Sequence, residues 1–142
     1  MGSKKEQIKN FFSLLLSHHT EEYYNRTFTL SFRGKEVHFC ARCSGVILGF
    51  IGGLLVTLFI NFDIQPFYAL IGAVGLAIPA TIDWGTQKLG YRESINPIRF
   101  ISGLLLGMGI VSLQYTYEIY WLTLIVIGIF LVIFFIISIN GY

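Results

Sequence analysis

The residues best suited to chemistry are two cysteines separated by two residues, Cys40 and Cys43. A tight turn with this spacing presents both sulfurs to one metal ion, and imidazoles can complete the four-ligand shell of zinc. Two adjacent histidines lie upstream; His19 is the favoured further ligand and His18 the reserve, because neighbours on a helix point about 100° apart. His38 is a third histidine, and it is expected either to join the ligands or to cap a hairpin. The pattern predicts a site for zinc or a similar divalent metal.

Two other interpretations of the cysteines stay open. Reduced thiols in the cytoplasm, placed at a helix N-terminus beside Arg42, would favour the thiolate and hence redox chemistry. The pair is also compatible with inert packing of small residues near the start of a helix.

A second set of polar residues lies later in the chain. Asp83 and Gln87 are four residues apart and share one face of a helix, and charged and amide side chains follow at Arg92, Glu93, Asn96 and Arg99. Ionisable groups near membrane spans are functional candidates, because they are rare and costly there. The candidate catalytic residues are Asp83, Gln87, Glu93 and Asn96, and the candidate anion-binding residues are Arg42, Arg92 and Arg99. The alternative is that Asp83–Arg99 and Glu93–Arg92 ion pairs only staple the helix ends.

The composition decides which solvent surrounds these residues. In 142 residues, 54% are hydrophobic and 13% are charged, and the mean hydropathy is +0.67. Soluble domains carry about 25% charged residues and small ones bury the least surface, so this chain fits a lipid bilayer instead. Two cysteines give no disulfide framework, and a net charge of +2 gives no basis for a nucleic-acid partner.

The apolar stretches predict an all-α membrane protein with four transmembrane helices, at about 44–60, 66–84, 98–117 and 120–139. The last two could be one long segment, but Glu118 among aromatic residues favours a tight turn at the interface. Residues 1–43 would form a cytoplasmic part and residues 44–142 the membrane domain. The cytoplasmic part is expected to contain a helix over 8–17, lying at the interface or packed on the bundle, and then a β-hairpin turning at Gly34 before the Cys/His knuckle.

Basic residues in the connecting segments predict the orientation. Seven of the ten precede Ser44 and three surround the loop 85–97, whereas the other two connections have none. The positive-inside rule therefore places both termini and this loop in the cytoplasm of a multi-pass cell-membrane protein. The cysteine pair and the later polar set would then open onto the same membrane face as one pocket.

Small residues recur at four-residue spacing in two of the spans, at Gly45, Gly49 and Gly53 and again at Gly103 and Gly107. Glycines at this spacing let helix backbones approach closely in lipid. Packing within one chain is the favoured interpretation, and a homo-oligomer through the glycine-spaced helices is the alternative.

The segment from His38 to Gly45 resembles the domain-of-unknown-function 2085 family of small prokaryotic membrane proteins. The later residues that share this resemblance are Asp83, Gln87, Arg92, Glu93, Ser94, Asn96, Arg99, Gly103 and Gly107. The resemblance extends from about residue 18 to about residue 109. It implies no activity. Members often have Cys-His near the position of His18 and His19, so His18 here replaces a cysteine.

Three functions follow as hypotheses. The first is metal binding at the Cys/His site beside the polar pocket. The second is a membrane enzyme acting on a phosphorylated lipid or polyprenyl headgroup, with Asp83 and Glu93 holding a divalent ion and the arginines holding the anion. The third is transport of a small solute or ion, which the nearly apolar last two spans support least.

Overall fold

The computed structural model describes residues 27–32, 35–60 and 62–141, which are mostly helical. The strands β1 (Thr27–Phe32) and β2 (Lys35–Cys40) come first. The helices of this part of the chain are α1 (Ala41–Phe59), α2 (Pro66–Lys88), α3 (Asn96–Ser112) and α4 (Tyr120–Asn140). A 3-10 helix, Leu113–Ile119, joins α3 to α4. The helix expected over 8–17 lies outside the described residues.

The two strands form the predicted hairpin. They pair antiparallel, in a register that runs from Thr27 opposite Cys40 to Phe32 opposite Lys35. Residues 33 and 34, where the sequence predicts the turn, lie outside the described residues. Because β2 ends at Cys40 and α1 begins at Ala41, the hairpin is followed by the first long helix without a connecting loop.

Helices α1 and α3 pack through their glycines. A side chain added at Gly45 would overlap the carbonyl oxygen of Phe100, and one at Gly103 would overlap that of Arg42. Further along the same seam, Gly49 faces Leu104 and Gly107 faces Val46. The contacts advance in the same direction along both helices, so α1 and α3 are parallel. The glycine faces are thus covered within the chain, as the favoured interpretation predicts, and a dimer seam would have to displace this packing.

Helix α2 ends in a Schellman motif around a left-handed glycine. Gly90 has φ +74°, its amide donates to the carbonyl of Gln87 (3.1 Å), and the amide of Tyr91 donates to that of Thr86 (3.0 Å). These bonds satisfy the last carbonyls of the helix, which continues to Lys88, beyond the predicted membrane-span limit of 84. The sharp reversal brings the next residues back along the end of α2.

Helices α3 and α4 both lie against α2, running in opposite directions. Near one end of α2, a side chain at Gly109 would lie 3.0 Å from the carbonyl oxygen of Ala73. Near the other end, the ring centroids of Trp84 and Phe134 are 4.5 Å apart, and a side chain added at Gly85 would lie 3.2 Å from Cδ1 of Ile137. The connection at Glu118 is a 3-10 helix that starts at Leu113, so the regular helix ends earlier than the predicted limit of 117.

Among the described residues, three stretches are long and apolar enough to cross a membrane: Ala41–Phe59, Pro66–Lys88 and Asn96–Asn140. Large apolar side chains cover their outer surfaces, with Phe59 85% and Leu131 65% exposed. Only a hydrocarbon solvent makes such a surface favourable. The prediction of a mainly helical membrane protein with a small hairpin is therefore confirmed.

Candidate functional site

The centre of the polar cluster is Asp83, whose side chain is 2% exposed. It lies near the end of α2 and receives hydrogen bonds from three parts of the chain. Arg42 of α1 donates to Oδ2 through Nη2, and Gln87 donates to the same oxygen through Nε2 at 3.0 Å. Arg92, in the loop after α2, donates to Oδ1 through Nη2 at 3.3 Å. The carboxylate is thus a hub that ties together α1, α2 and the following loop.

Local sequence positions each of these donors. Gln87 is one turn after Asp83, so the two share a helix face as predicted. Arg42 reaches the carboxylate because α1 starts directly after the hairpin and its first turn stands beside α3. Because the chain reverses direction at Gly90, Arg92 lies beside the last turns of α2, and its Nε donates to the hydroxyl of Thr86 at 3.1 Å.

Two guanidiniums share the carboxylate of Asp83. Arg42 and Arg92 bring two positive charges to the single negative charge of Asp83. A buried carboxylate in a membrane protein is costly unless it is paired, and here two guanidiniums compensate it. The side chain of Arg92 is 44% exposed, against 21% for that of Arg42. Of these two guanidiniums, that of Arg92 is the more exposed and therefore the one that can meet a ligand.

The other predicted site residues lie around this hub in different roles. Glu93 is exposed in the loop, and Arg99 is 5% exposed in the first turn of α3. Asn96 donates to the carbonyl of Thr27 at 3.3 Å, so it ties the hairpin to the start of α3. The ion pairs of Asp83 are with Arg42 and Arg92, where the stapling alternative predicted Arg99 for Asp83 and Glu93 for Arg92.

The predicted metal ligands fall only partly within the described chain. Cys40 is the last residue of β2, and Cys43 lies in the first turn of α1. His18 and His19 lie outside the described residues. Within the described ranges, no group of three or more His, Cys, Asp or Glu side chains is placed to hold a metal ion. Zinc binding and the Cys/His knuckle therefore stay predictions.

A cleft of about 460 Å³ opens beside the hub, between α2 and α3. Asp83 and Arg92 form part of its wall, and Ser102 adds one hydroxyl. The rest of its lining is apolar: Ile78, Pro79, Ile82, Ile98, Ile101 and Leu105. The cleft thus offers a charged group and a long apolar surface to the same ligand.

Sequence reasoning missed two parts of this arrangement. The sequence pattern predicts Arg42 as an anion-binding residue but does not pair it with Asp83, which lies 41 positions away. The apolar wall was not predicted, although the spacing of Ile98, Ile101 and Leu105 on one face of a helix was a usable signal. That signal is weak, because every helix of this protein is rich in apolar residues.

Comparison with other proteins places the chain in a family. The family profile described as a predicted membrane protein (DUF2085) matches residues 23–113, which is more than half of the chain. A protein of Methanothermobacter thermautotrophicus is 41% identical over 85 residues, covering 60% of this chain and 76% of the relative. A protein of Methanocaldococcus jannaschii is 38% identical over 82 residues, covering 55% of this chain and about half (51%) of the relative. No solved structure matches. The chain belongs to the DUF2085 family of membrane proteins.

Proposed function

We propose that this protein binds an anionic amphiphile, a lipid or isoprenoid that carries a phosphate group, in the cleft between α2 and α3. The proposal rests on one observation: Arg92 and a wall of apolar side chains line the same cleft. Arg92 would bind the phosphate, since a guanidinium forms strong charge-assisted hydrogen bonds with phosphate oxygens. The hydrocarbon part would lie along the wall.

The shape of the wall supports an elongated apolar group. Ile98, Ile101 and Leu105 follow one face of α3 away from the charged end, and Ile78 and Ile82 do the same on α2. Ile101 and Ile82 are 57% and 55% exposed, so they are accessible to a ligand that enters from the lipid.

Asp83 has a positioning role in this proposal. Because it accepts hydrogen bonds from Arg42, Gln87 and Arg92, it holds the Arg92 guanidinium at the mouth of the cleft. The hypothesis of an enzyme with a divalent ion at Asp83 finds less support, because two guanidiniums repel such an ion. Binding of the phosphorylated headgroup is the part of that hypothesis that we retain.

A binding experiment tests the proposal. Arg92→Gln is expected to weaken binding of phosphatidic acid to the detergent-solubilised protein about fivefold, since one arginine near an anionic lipid surface contributes about 1 kcal/mol. Lys88→Gln removes a cation from the last turn of α2, outside the lining of the cleft, and it should leave the affinity unchanged. Native mass spectrometry or thermophoresis gives the dissociation constants, with phosphatidylcholine and inorganic phosphate as comparison ligands.

The apolar wall needs its own variant. Ile101→Trp fills the cleft and should weaken phosphatidic acid binding, whereas Ile47→Trp, at an equally exposed position on α1 (58%), should not. Tight binding of inorganic phosphate alone would contradict a lipid ligand. Equal binding of phosphatidylcholine, or equal effects of Arg92→Gln and Lys88→Gln, would contradict the whole proposal.

We further propose that the third apolar stretch crosses the membrane twice, giving four spans. A straight helix of 45 residues would be about 68 Å long, more than twice the hydrocarbon thickness of about 30 Å. The opposite directions of α3 and α4 against α2 support two crossings joined near Glu118.

Labelling with a membrane-impermeant maleimide tests this topology in sealed vesicles. Single cysteines replace exposed residues in a Cys40→Ser, Cys43→Ser background, at Asp63, Tyr91, Tyr117 and Asn140. We expect positions 91 and 140 to react from one side and positions 63 and 117 from the other. Opposite sides for 91 and 140 would contradict four spans, and the side of 91 also tests the predicted cytoplasmic orientation.

A further inference from the structure

The apolar wall of the cleft between α2 and α3 has a shape that distinguishes one kind of hydrocarbon chain from another. We propose that the ligand carries a single isoprenoid chain, branched by methyl groups, which lies along α2 from Ile82 to Gly72. This inference rests on the proposed phosphate-binding function, and it names the chemical class of ligand that the same cleft takes.

Branched side chains form both sides of this wall. Ile98, Ile101 and Leu105 line the cleft on α3, and Ile78 and Ile82 line it on α2. Isoleucine is stiff at χ1, because two heavy atoms are attached to its Cβ. These side chains recur about once per helical turn, so the wall consists of ridges and hollows that follow one another every 5–6 Å or so, roughly the pitch of the helix. The corrugation is therefore present before any ligand binds.

The same face of α2 continues beyond the cleft through two glycines. Gly75 and Gly72 lie four and seven residues before Pro79, a spacing that places all three on one helix face. Both glycines are exposed, and within the described part of the chain a Cβ added at either would meet no atom beyond the adjoining helix backbone within 4 Å. Gly45 and Gly103, by contrast, are packed against the backbone of a neighbouring helix. Gly72 and Gly75 thus leave a hollow in line with the cleft, where a ligand can approach the backbone of α2.

The length of this surface fits one chain that starts at the charged end. From Ile82 to Gly72 the face of α2 extends about 15 Å at the rise of an α-helix, which is about half of the hydrocarbon thickness of a bilayer. Arg92 is the one cation among the described residues that line the cleft. A single furrow between two helices, with one guanidinium at its end, accommodates one headgroup and one chain.

A methyl-branched chain matches the corrugated wall better than a straight chain does. Its lateral methyl groups fill the hollows between the isoleucine side chains, whereas a straight chain bridges these hollows and loses dispersion contacts. Hydrophobic burial does not separate the two chains, because both leave hydrocarbon surroundings when they enter the cleft from the bilayer. A difference in affinity between them therefore measures the packing.

Competition between two synthetic ligands tests the inference on the full-length, wild-type protein. Phytanyl phosphate and hexadecyl phosphate have saturated main chains of equal length, and they differ only in the methyl branches of the first. Both are added at equal mole fraction to the detergent micelles, and native mass spectrometry gives the ratio of the two complexes. We expect phytanyl phosphate to bind about fivefold more tightly, which corresponds to about 1 kcal/mol of additional packing.

Two glycine variants locate the chain. Gly75→Ile fills the hollow beside the cleft and should remove the preference for phytanyl phosphate. Gly128→Ile makes the same change on α4, outside the lining of the cleft, at a position where the added Cβ also meets nothing within 4 Å among the described residues, and it should retain the preference. Circular dichroism verifies that both variants are folded.

The possible failures can be told apart. If the wild type binds both phosphates equally and Arg92→Gln weakens both, the ligand has no isoprenoid preference, and the proposed function is retained. A preference for phytanyl phosphate that persists in folded Gly75→Ile would overturn the placement of the chain along α2. If Arg92→Gln leaves the binding of both phosphates unchanged, the proposed function itself is wrong, and this inference is wrong with it.

Discussion

Asp83→Asn is expected to lower the free energy of unfolding of the solubilised protein by about 3–5 kcal/mol, the usual cost of breaking a buried ion pair. The amide keeps the shape of the side chain but removes the charge that compensates two guanidiniums. Arg42, whose side chain is 21% exposed, would then hold an unneutralised charge inside the helix bundle. Equilibrium unfolding in urea or in mixed detergent micelles, followed by circular dichroism, measures the change.

A matched aspartate provides the control for this prediction. Asp63 is exposed in the connection between α1 and α2, so Asp63→Asn should change the stability by less than about 0.5 kcal/mol. A second comparison removes both partners: Asp83→Leu with Arg42→Met should be less destabilised than Asp83→Leu alone, because no charge of that pair stays buried. If Asp83→Asn and Asp63→Asn are equally stable, the hub does not hold the helices together.

The fold could be predicted as far as local patterns determine it. Long apolar stretches predicted helices in a membrane, and alternation around Gly34 predicted the hairpin. The helix ends were less accurate, because they depend on interactions that cross several residues. Helix α2 reaches Lys88 because Gly90 satisfies its last carbonyls, and the 3-10 segment from Leu113 is not distinguished from an α-helix by composition.

The polar site shows the same limit more clearly. The four-residue spacing of Asp83 and Gln87 was enough to predict that they share a face. The partnership of Asp83 with Arg42 depends on how three helices pack, which no local spacing encodes. The hydrogen bond from Asn96, a catalytic candidate by its residue type, to the carbonyl of Thr27 is likewise not encoded by local spacing. Residue type and spacing therefore predicted which residues belong to the polar cluster, but not which of them are hydrogen-bonded to one another.

Gly107→Ala is the second variant for which we expect a large loss of stability, about 1–3 kcal/mol as for other overpacked sites. The new Cβ would overlap the carbonyl oxygen of Val46, and it would lie 2.7 Å from the amide nitrogen of Phe50. These are backbone atoms of α1, so no side-chain rotation can relieve the contact. The two helices would have to separate along their whole seam, and the unfolding experiment above measures the loss.

Gly52→Ala is the matched control on α1, because among the described residues no atom beyond the adjoining helix backbone lies within 4 Å of the new Cβ. Since alanine favours a helix by up to about 1 kcal/mol over glycine, this variant should be as stable as the wild type or more stable. The two substitutions therefore have opposite expected signs, which separates packing from helix propensity. A dimer seam through Gly107 would give another pattern: the variant would change the oligomeric state in cross-linking while the monomer kept its stability.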